Sequence, residues 1–217
     1  MKLRLFSHPF ASYCQKVLIA LYESATPFDA VLVDLSDPEQ RAALAKLWPP
    51  AKFPVLQDEA RGVVVAESTI IIEYLTQHYP STHALIPADP DDARETRFRD
   101  RFFDSYVMDP MQRIVADRLR APGTKDKVGV EQARAALTLA YGMLEALLAG
   151  RTWAMGEAFS MADCAAAPAL FYADWVWPIG SDHPLTAAYL QRLRERPSFA
   201  RVLSEAEPFR DFFPKES

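Results

Sequence analysis

Lys52-Phe53-Pro54-Val55-Leu56-Gln57-Asp58-Glu59-Ala60-Arg61-Gly62-Val63-Val64-Val65-Ala66-Glu67-Ser68 is the stretch on which the reading of this chain turns. Val55-Leu56 and Val63-Val64-Val65 are β-prone runs, the segment between them is polar and ends in Gly62, and that spacing predicts an antiparallel hairpin. Pro54 opens the first strand, where a missing N–H is tolerated. Beyond the hairpin, Ile71, Tyr74, Leu75 and His78/Tyr79 fall on one face, which predicts a helix from Ser68. A hydroxyl beside the unpaired N–H groups of a helix start suits a carboxylate. Glu67, next to it, suits an ammonium, so the pair suits an amino-acid head group. Glu-Ser before an apolar run is also an ordinary helix cap; only the order and spacing of these signals set it apart.

Working outward toward the start, Leu3, Leu5 and Phe6 alternate with Lys2 and Arg4 and predict a first strand. Residues 7–11 form a turn carrying His8-Pro9. From Ser12 the pattern is helical, with Cys14, Val17, Leu18 and Leu21 on one stripe and Gln15, Lys16 and Glu23 off it. Phe28, Val31, Leu32 and Val33 give a second strand. Asp37 and Pro38 fit the cap and first position of a helix that runs to Leu47, where Trp48-Pro49-Pro50 stops it. The order β-α-β-α-β-β-α over residues 1–79 predicts a thioredoxin-like sheet packed between helices.

Working outward toward the end, residues 80–90 contain three prolines and read as a linker. Residues 91–217 show helical periods only. A long charged helix over 91–119 is expected to break softly near Asp109-Pro110, and a second, rich in Ala and Leu, covers 127–148 before Gly150. Ser160-Met161-Ala162-Asp163 has capping-box form and opens a helix over 162–175 that is apolar nearly all round and therefore central. Two further helices cover 184–194 and 198–206. The fold class expected is α/β plus all-α, a thioredoxin-like N-terminal domain followed by an α-helical C-terminal domain.

The composition, 50% apolar and 24% charged over 217 residues, is that of an ordinary globular protein. A net charge of −5 without a basic block argues against nucleic acid. No apolar run approaches the ~20 residues that span a bilayer, and the chain opens directly into a strand pattern without a signal-peptide core, so a cytoplasmic protein is expected. Cys14 and Cys164 each sit in an apolar helical pattern, which suits free thiols in a reducing compartment. His8, His78, His83 and His183 have no metal-ligand spacing, so no metal is expected. There is no glycine-rich phosphate loop and no Gly-x-Ser-x-Gly elbow.

Across its whole length the sequence resembles the cytosolic glutathione S-transferases of bacterial type. Ser12-Tyr13-Cys14-Gln15-Lys16-Val17 is similar to the start of that family's first helix, where the thiol-handling residue sits. Lys52 to Leu56 is similar to its segment before a cis-proline. Glu67-Ser68 with Ile70 and Tyr74-Leu75 is similar to its Glu/Gln-Ser-x-x-Ile-x-x-Tyr-Leu pattern, shifted only in which apolar residues fill the face, and Phe159 to Asp163 resembles the capping box of its central C-terminal helix.

The resemblance implies a cis Pro54 that exposes the Phe53 backbone to the cysteinyl backbone of glutathione, as an added strand would. It implies Glu67 and Ser68 on the γ-glutamyl head group and Lys52 on the glycyl carboxylate. It assigns Ser160 and Asp163 a structural role. The family's usual serine or cysteine position holds Ala11, which has no donor. Ser12, next in line, is the candidate catalytic residue and also fits a helix N-cap; Tyr13 and Cys14 are the alternatives, Cys14 reading more simply as a buried packing thiol. Phe10, Tyr106, Met108, Arg113, Tyr172 and Trp175 are the expected acceptor-pocket residues, each equally readable as core. The implied activity is transfer of the glutathione thiolate to a small apolar electrophile by a homodimer. The alternatives are a glutathione-dependent isomerase, dehalogenase or peroxidase, and a non-catalytic binder of the same fold.

Overall fold

The structure, a computed structural model, describes residues 3–216. Lys2, expected in the first strand, lies outside the described residues. Strand β1 (Leu3–Ser7) leads into helix α1 (Ser12–Glu23), followed by β2 (Asp29–Leu32), α2 (Pro38–Leu47), β3 (Val55–Asp58), β4 (Val63–Ala66) and α3 (Ser68–His78). The sheet order is β2-β1-β3-β4. β1 pairs parallel with β2, while β1–β3 and β3–β4 are antiparallel. Leu56 stands opposite both Leu5 and Val65, and this register turns all three into the core. The hairpin expected between Val55 and Val65 is present, with Gly62 at φ 65° supplying the left-handed turn residue.

The rest of the chain is helical: α4 (Pro90–Phe102), a π-helical turn (Phe103–Met108), α5 (Asp109–Arg118), α6 (Lys127–Leu148), α7 (Met161–Val176), α8 (Pro184–Glu195), α9 (Pro197–Ala206) and a 3₁₀ turn (Glu207–Phe212). The capping box is complete: Ser160 and Asp163 satisfy each other's backbone at the start of α7. α7 is buried almost all round, packing on α1, α4, α5 and α8. The soft break in the long charged helix falls earlier than Asp109-Pro110, as the π turn before it. Pro110 has no N–H for the carbonyl four residues back, and the wider turn absorbs that gap.

Two expectations for α1 need correcting. Its N-cap is Ala11, and Ser12 is its first helical residue. Gln15 and Lys16, placed off the apolar stripe, are 0% and 1% exposed. α1 lies between α3, α7 and α9, so no side of its middle reaches water. The Lys16 ammonium is held by Asp100 at 2.7 Å, Asp104 at 2.9 Å and the Thr69 hydroxyl at 2.9 Å. Thr69 in turn donates to Asp100 at 2.7 Å. A cation among buried carboxylates is compensated only while all partners stay, and removing one partner of a buried pair costs about 3–5 kcal/mol. Lys16→Met should therefore lower unfolding free energy by about 3–5 kcal/mol in urea titrations, and adding Asp100→Asn should restore part of the loss. An unchanged midpoint in the single variant would show that the cluster is not compensated in this way.

Candidate functional site

Three local features converge near the Phe53 corner. The Phe53–Pro54 peptide is cis, and Phe53 makes no backbone hydrogen bond within the described residues. Glu67 caps α3 with φ 69° and ψ 121°, and neither its exposed carboxylate nor the Ser68 hydroxyl has a hydrogen-bond partner among the described residues. Ser68 is the first residue of α3, 6% exposed, so its hydroxyl sits with the open N–H groups of the helix start. Lys52, Phe53, Pro54, Glu67 and Ser68 all line one cavity of 500 Å³, together with Tyr13, Trp48, Thr69, Ile70, Arg101, Asp104 and Gln112.

A second cavity of 320 Å³ adjoins the first, sharing Tyr13, Phe53 and Gln112 with it. Ser12 and Ala11 line this one, with Phe10, Met111, Val115, Leu119, Tyr172 and Phe212 to Pro214. The loop before α1 is tied down at several points. Phe10 N–H donates to His8 Nδ1 at 3.2 Å, and burial holds the His8 pKa down, in keeping with that acceptor role. Gln15 Nε2 donates to the Pro9 carbonyl and to the Tyr172 hydroxyl, both at 2.9 Å, and Tyr172 donates to the Phe10 carbonyl at 2.9 Å. Burial, then the neighbouring Asp104, pushes the Tyr13 phenol up to about 12, so it stays a proton donor at neutral pH.

Of the residues expected in an acceptor pocket, Phe10 and Tyr172 line the second cavity. Trp175 backs onto Phe10 in a separate cleft of 170 Å³. Met108 is core at 1% exposure, while Tyr106 is 58% exposed and Arg113 points outward in an ion pair with Asp109 at 2.8 Å. Tyr106 and Met108, two residues apart in the π turn, point to opposite sides of it, so one faces solvent and the other the core. Gln112, one turn beyond Met108, lines both cavities. Cys14 is fully buried and its thiol is pushed up to about 12 by burial. Among the described residues no group of His, Cys, Asp and Glu is arranged to hold a metal. None of the described helices is long and apolar enough to cross a membrane.

Residues 5–83 match the glutathione S-transferase N-terminal domain and residues 102–197 the glutathione S-transferase C-terminal domain. The chain belongs to the glutathione S-transferase family. Among solved structures this family member is similar to a glutathione S-transferase of Methylobacillus flagellatus with GSH bound, 28% identical, with a TM-score of 0.83 over 92% of this chain and 98% of that one. The FtsZ-localized protein A of Caulobacter vibrioides is 29% identical over 214 residues, 94% of this chain and 92% of that protein. A stringent starvation protein A homolog of Coxiella burnetii is 30% identical over 209 residues, again 94% and 92%.

Both cysteines of this transferase-family chain are buried free thiols with raised pKa values. A disulfide-exchange reagent at mildly alkaline pH should leave the native protein unmodified and modify two thiols once urea unfolds it. Fast stoichiometric modification of Cys14 in the native state would contradict its place in the core.

Proposed function

We propose that this chain binds glutathione in the 500 Å³ cavity and transfers its thiolate to a small apolar electrophile held in the adjoining one. The observation carrying this reading is the pairing itself: a polar cavity with an open carboxylate, hydroxyl and lysine beside an apolar one, meeting at Tyr13, Phe53 and Gln112. Glu67 takes the γ-glutamyl ammonium, and Ser68 with the N–H groups of α3 takes its carboxylate. The free N–H and C=O of Phe53 pair with the cysteinyl backbone, and Lys52 takes the glycyl carboxylate. The sulfur then lies toward the start of α1, where the Ser12 hydroxyl and the first N–H groups stabilise its negative charge.

In the reaction the glutathione thiol gives its proton to water. The thiolate lone pair forms a C–S bond at the electrophilic carbon, and that carbon's electron pair leaves with a departing group or moves into a conjugated acceptor that water then protonates. A thiol near pKa 8.5 is a few per cent ionised at neutral pH, so a drop of two units gives up to roughly thirtyfold more nucleophile.

Ala11 and the relatives' names support a second reading, a glutathione binder without efficient transfer. Titrating glutathione while monitoring thiolate absorbance separates the two, because a mere binder leaves the bound thiol's pKa where it is in water. Ser68→Ala should weaken glutathione about tenfold or more, since a hydrogen bond to a charged group is worth about 1.5–3 kcal/mol. Ser12→Ala should instead raise the bound thiol's pKa by about one to two units with a smaller loss of affinity. Calorimetry giving wild-type affinity for both Ser68→Ala and Glu67→Gln would remove the site assignment.

The same reading includes a homodimer. Ile70 on α3, Phe98 on α4 and Tyr106 on the π turn are 52%, 56% and 58% exposed, an apolar surface beside the polar cavity. Light scattering at micromolar concentration should give about twice the 24.4 kDa chain mass. A monomer mass would refute the assembly and leave the glutathione assignment standing.

A further inference from the structure

The chain's last described residues run along one wall of the second cavity. After the 3₁₀ turn, Phe213 lies parallel to Tyr172 with ring centroids 5.9 Å apart and meets Trp175 edge-on at 4.8 Å. Its ring sits where a flat ligand would stack, and it forms part of the cavity lining with Phe212 and Pro214. Three residues on, the Glu216 carboxylate accepts from Arg118 at 3.3 Å and from Arg134 at 3.0 Å. Arg118 also donates to the Pro214 carbonyl at 3.2 Å, and its guanidinium lies 5.9 Å from the centre of the Phe213 ring. One guanidinium therefore touches both the ring and the carboxylate of the segment.

Arg118 is a built element of the core edge. Its side chain is 9% exposed, its Nε is buried without a partner, and Glu216 is the only described carboxylate paired with it. Arg134, 24% exposed, has its own partner in Glu131 at 2.9 Å and turns its other end to Glu216. Glu216, by contrast, is 66% exposed and lies at the end of the described segment. A buried cation whose one counter-charge is on an exposed segment is a site for an exchangeable anion.

We propose that Arg118 and Arg134 form a carboxylate receptor at the end of the second cavity, that Phe213 and Glu216 occupy it in cis, and that the free ligands it takes are aromatic carboxylates. The ring of such a ligand replaces Phe213 against Tyr172 and Trp175, and its carboxylate replaces Glu216. The tail is then a tethered competitor for this end of the cavity, and it yields to ligands carrying a ring and an anion together. The role of this cavity as the acceptor site rests on the proposed transferase reading; the receptor itself does not.

The test is calorimetric titration of the full chain with 2-naphthoate and with its neutral counterpart 2-naphthamide, with glutathione titrated separately into each protein. Glu216→Gln should raise naphthoate affinity on the order of tenfold, as the competing charged contacts are lost, and leave naphthamide nearly unchanged. Placing Arg134→Gln on that background should remove the preference for the carboxylate, and so should Arg118→Gln where it folds. Equal naphthoate affinity in wild type and Glu216→Gln, or a gain shared by naphthamide, overturns the proposal and leaves the tail a steric wall. Glutathione should bind all variants alike; a wild-type chain that does not bind glutathione defeats the transferase reading while the naphthoate results still decide the receptor.

Discussion

A single ammonium group, that of Lys16, ties together the parts of the chain that make the site. It reaches from α1 to Asp100 on α4, Asp104 on the π turn and Thr69 on α3, so three separately encoded helices meet at one buried charge. Its 1% exposure leaves no water to screen the cluster, and the fold keeps it only because every partner is in place. The same cluster borders the polar cavity, since Thr69 and Asp104 belong to both. Arg101, 3.3 Å from Asp104, extends it to the surface. Lys52, Arg101, Glu67 and Asp104 all line this cavity, so its wall carries charges of both signs.

A second chain of contacts fixes the other cavity. Asp163 accepts hydrogen bonds from Ala154 N–H and Ser160 N–H, each at 2.8 Å, and from Tyr189 at 2.5 Å, anchoring the start of α7 in the core. Further along the same helix, Tyr172 binds Gln15 and the Phe10 carbonyl. The loop in front of α1 is thus positioned from the C-terminal half of the chain. A surface loop held this way can present Ser12 reproducibly, because the side chains that hold it are themselves locked by packing.

The parts of this arrangement that the sequence discloses are those written in local chemistry. Val55 to Val65 shows its hairpin through alternation and Gly62, and Ser160 to Asp163 shows its cap through spacing alone. The turn at Phe53-Pro54 and the helix start at Ser68 are local too, which is why one short stretch carries most of the polar cavity. Gln15 and Lys16 are illegible for the opposite reason. Their polarity predicts a solvated face, and Tyr172, Thr69 and Asp104, partners 53 to 157 residues away, help turn that face inward. Tyr106, Met108 and Arg113 are misplaced because residues of one helical stretch point in different directions, and only the packing shows which of them meet a cavity. Arg118 escapes notice because a charged residue near a helix end normally reads as solvated.

Ala11 is the position at which the family pattern and this chain part, and the geometry gives it a physical meaning. A serine there would offer its hydroxyl, but as an N-cap it would also tend to accept a hydrogen bond from an N–H of the first turn. Ala11 takes the cap's extended conformation, φ −87° and ψ 121°, and accepts only through its backbone, from Gln15 N–H at 2.9 Å. α1 has no side-chain cap, and Ala11, Ser12 and Tyr13 at its start line the second cavity. This helix start carries the Ser12 hydroxyl one residue inside the helix, with the protonated Tyr13 phenol beside it. Under the proposed transferase reading, preorganised dipoles of this kind, rather than one dedicated side chain, are what would favour a thiolate.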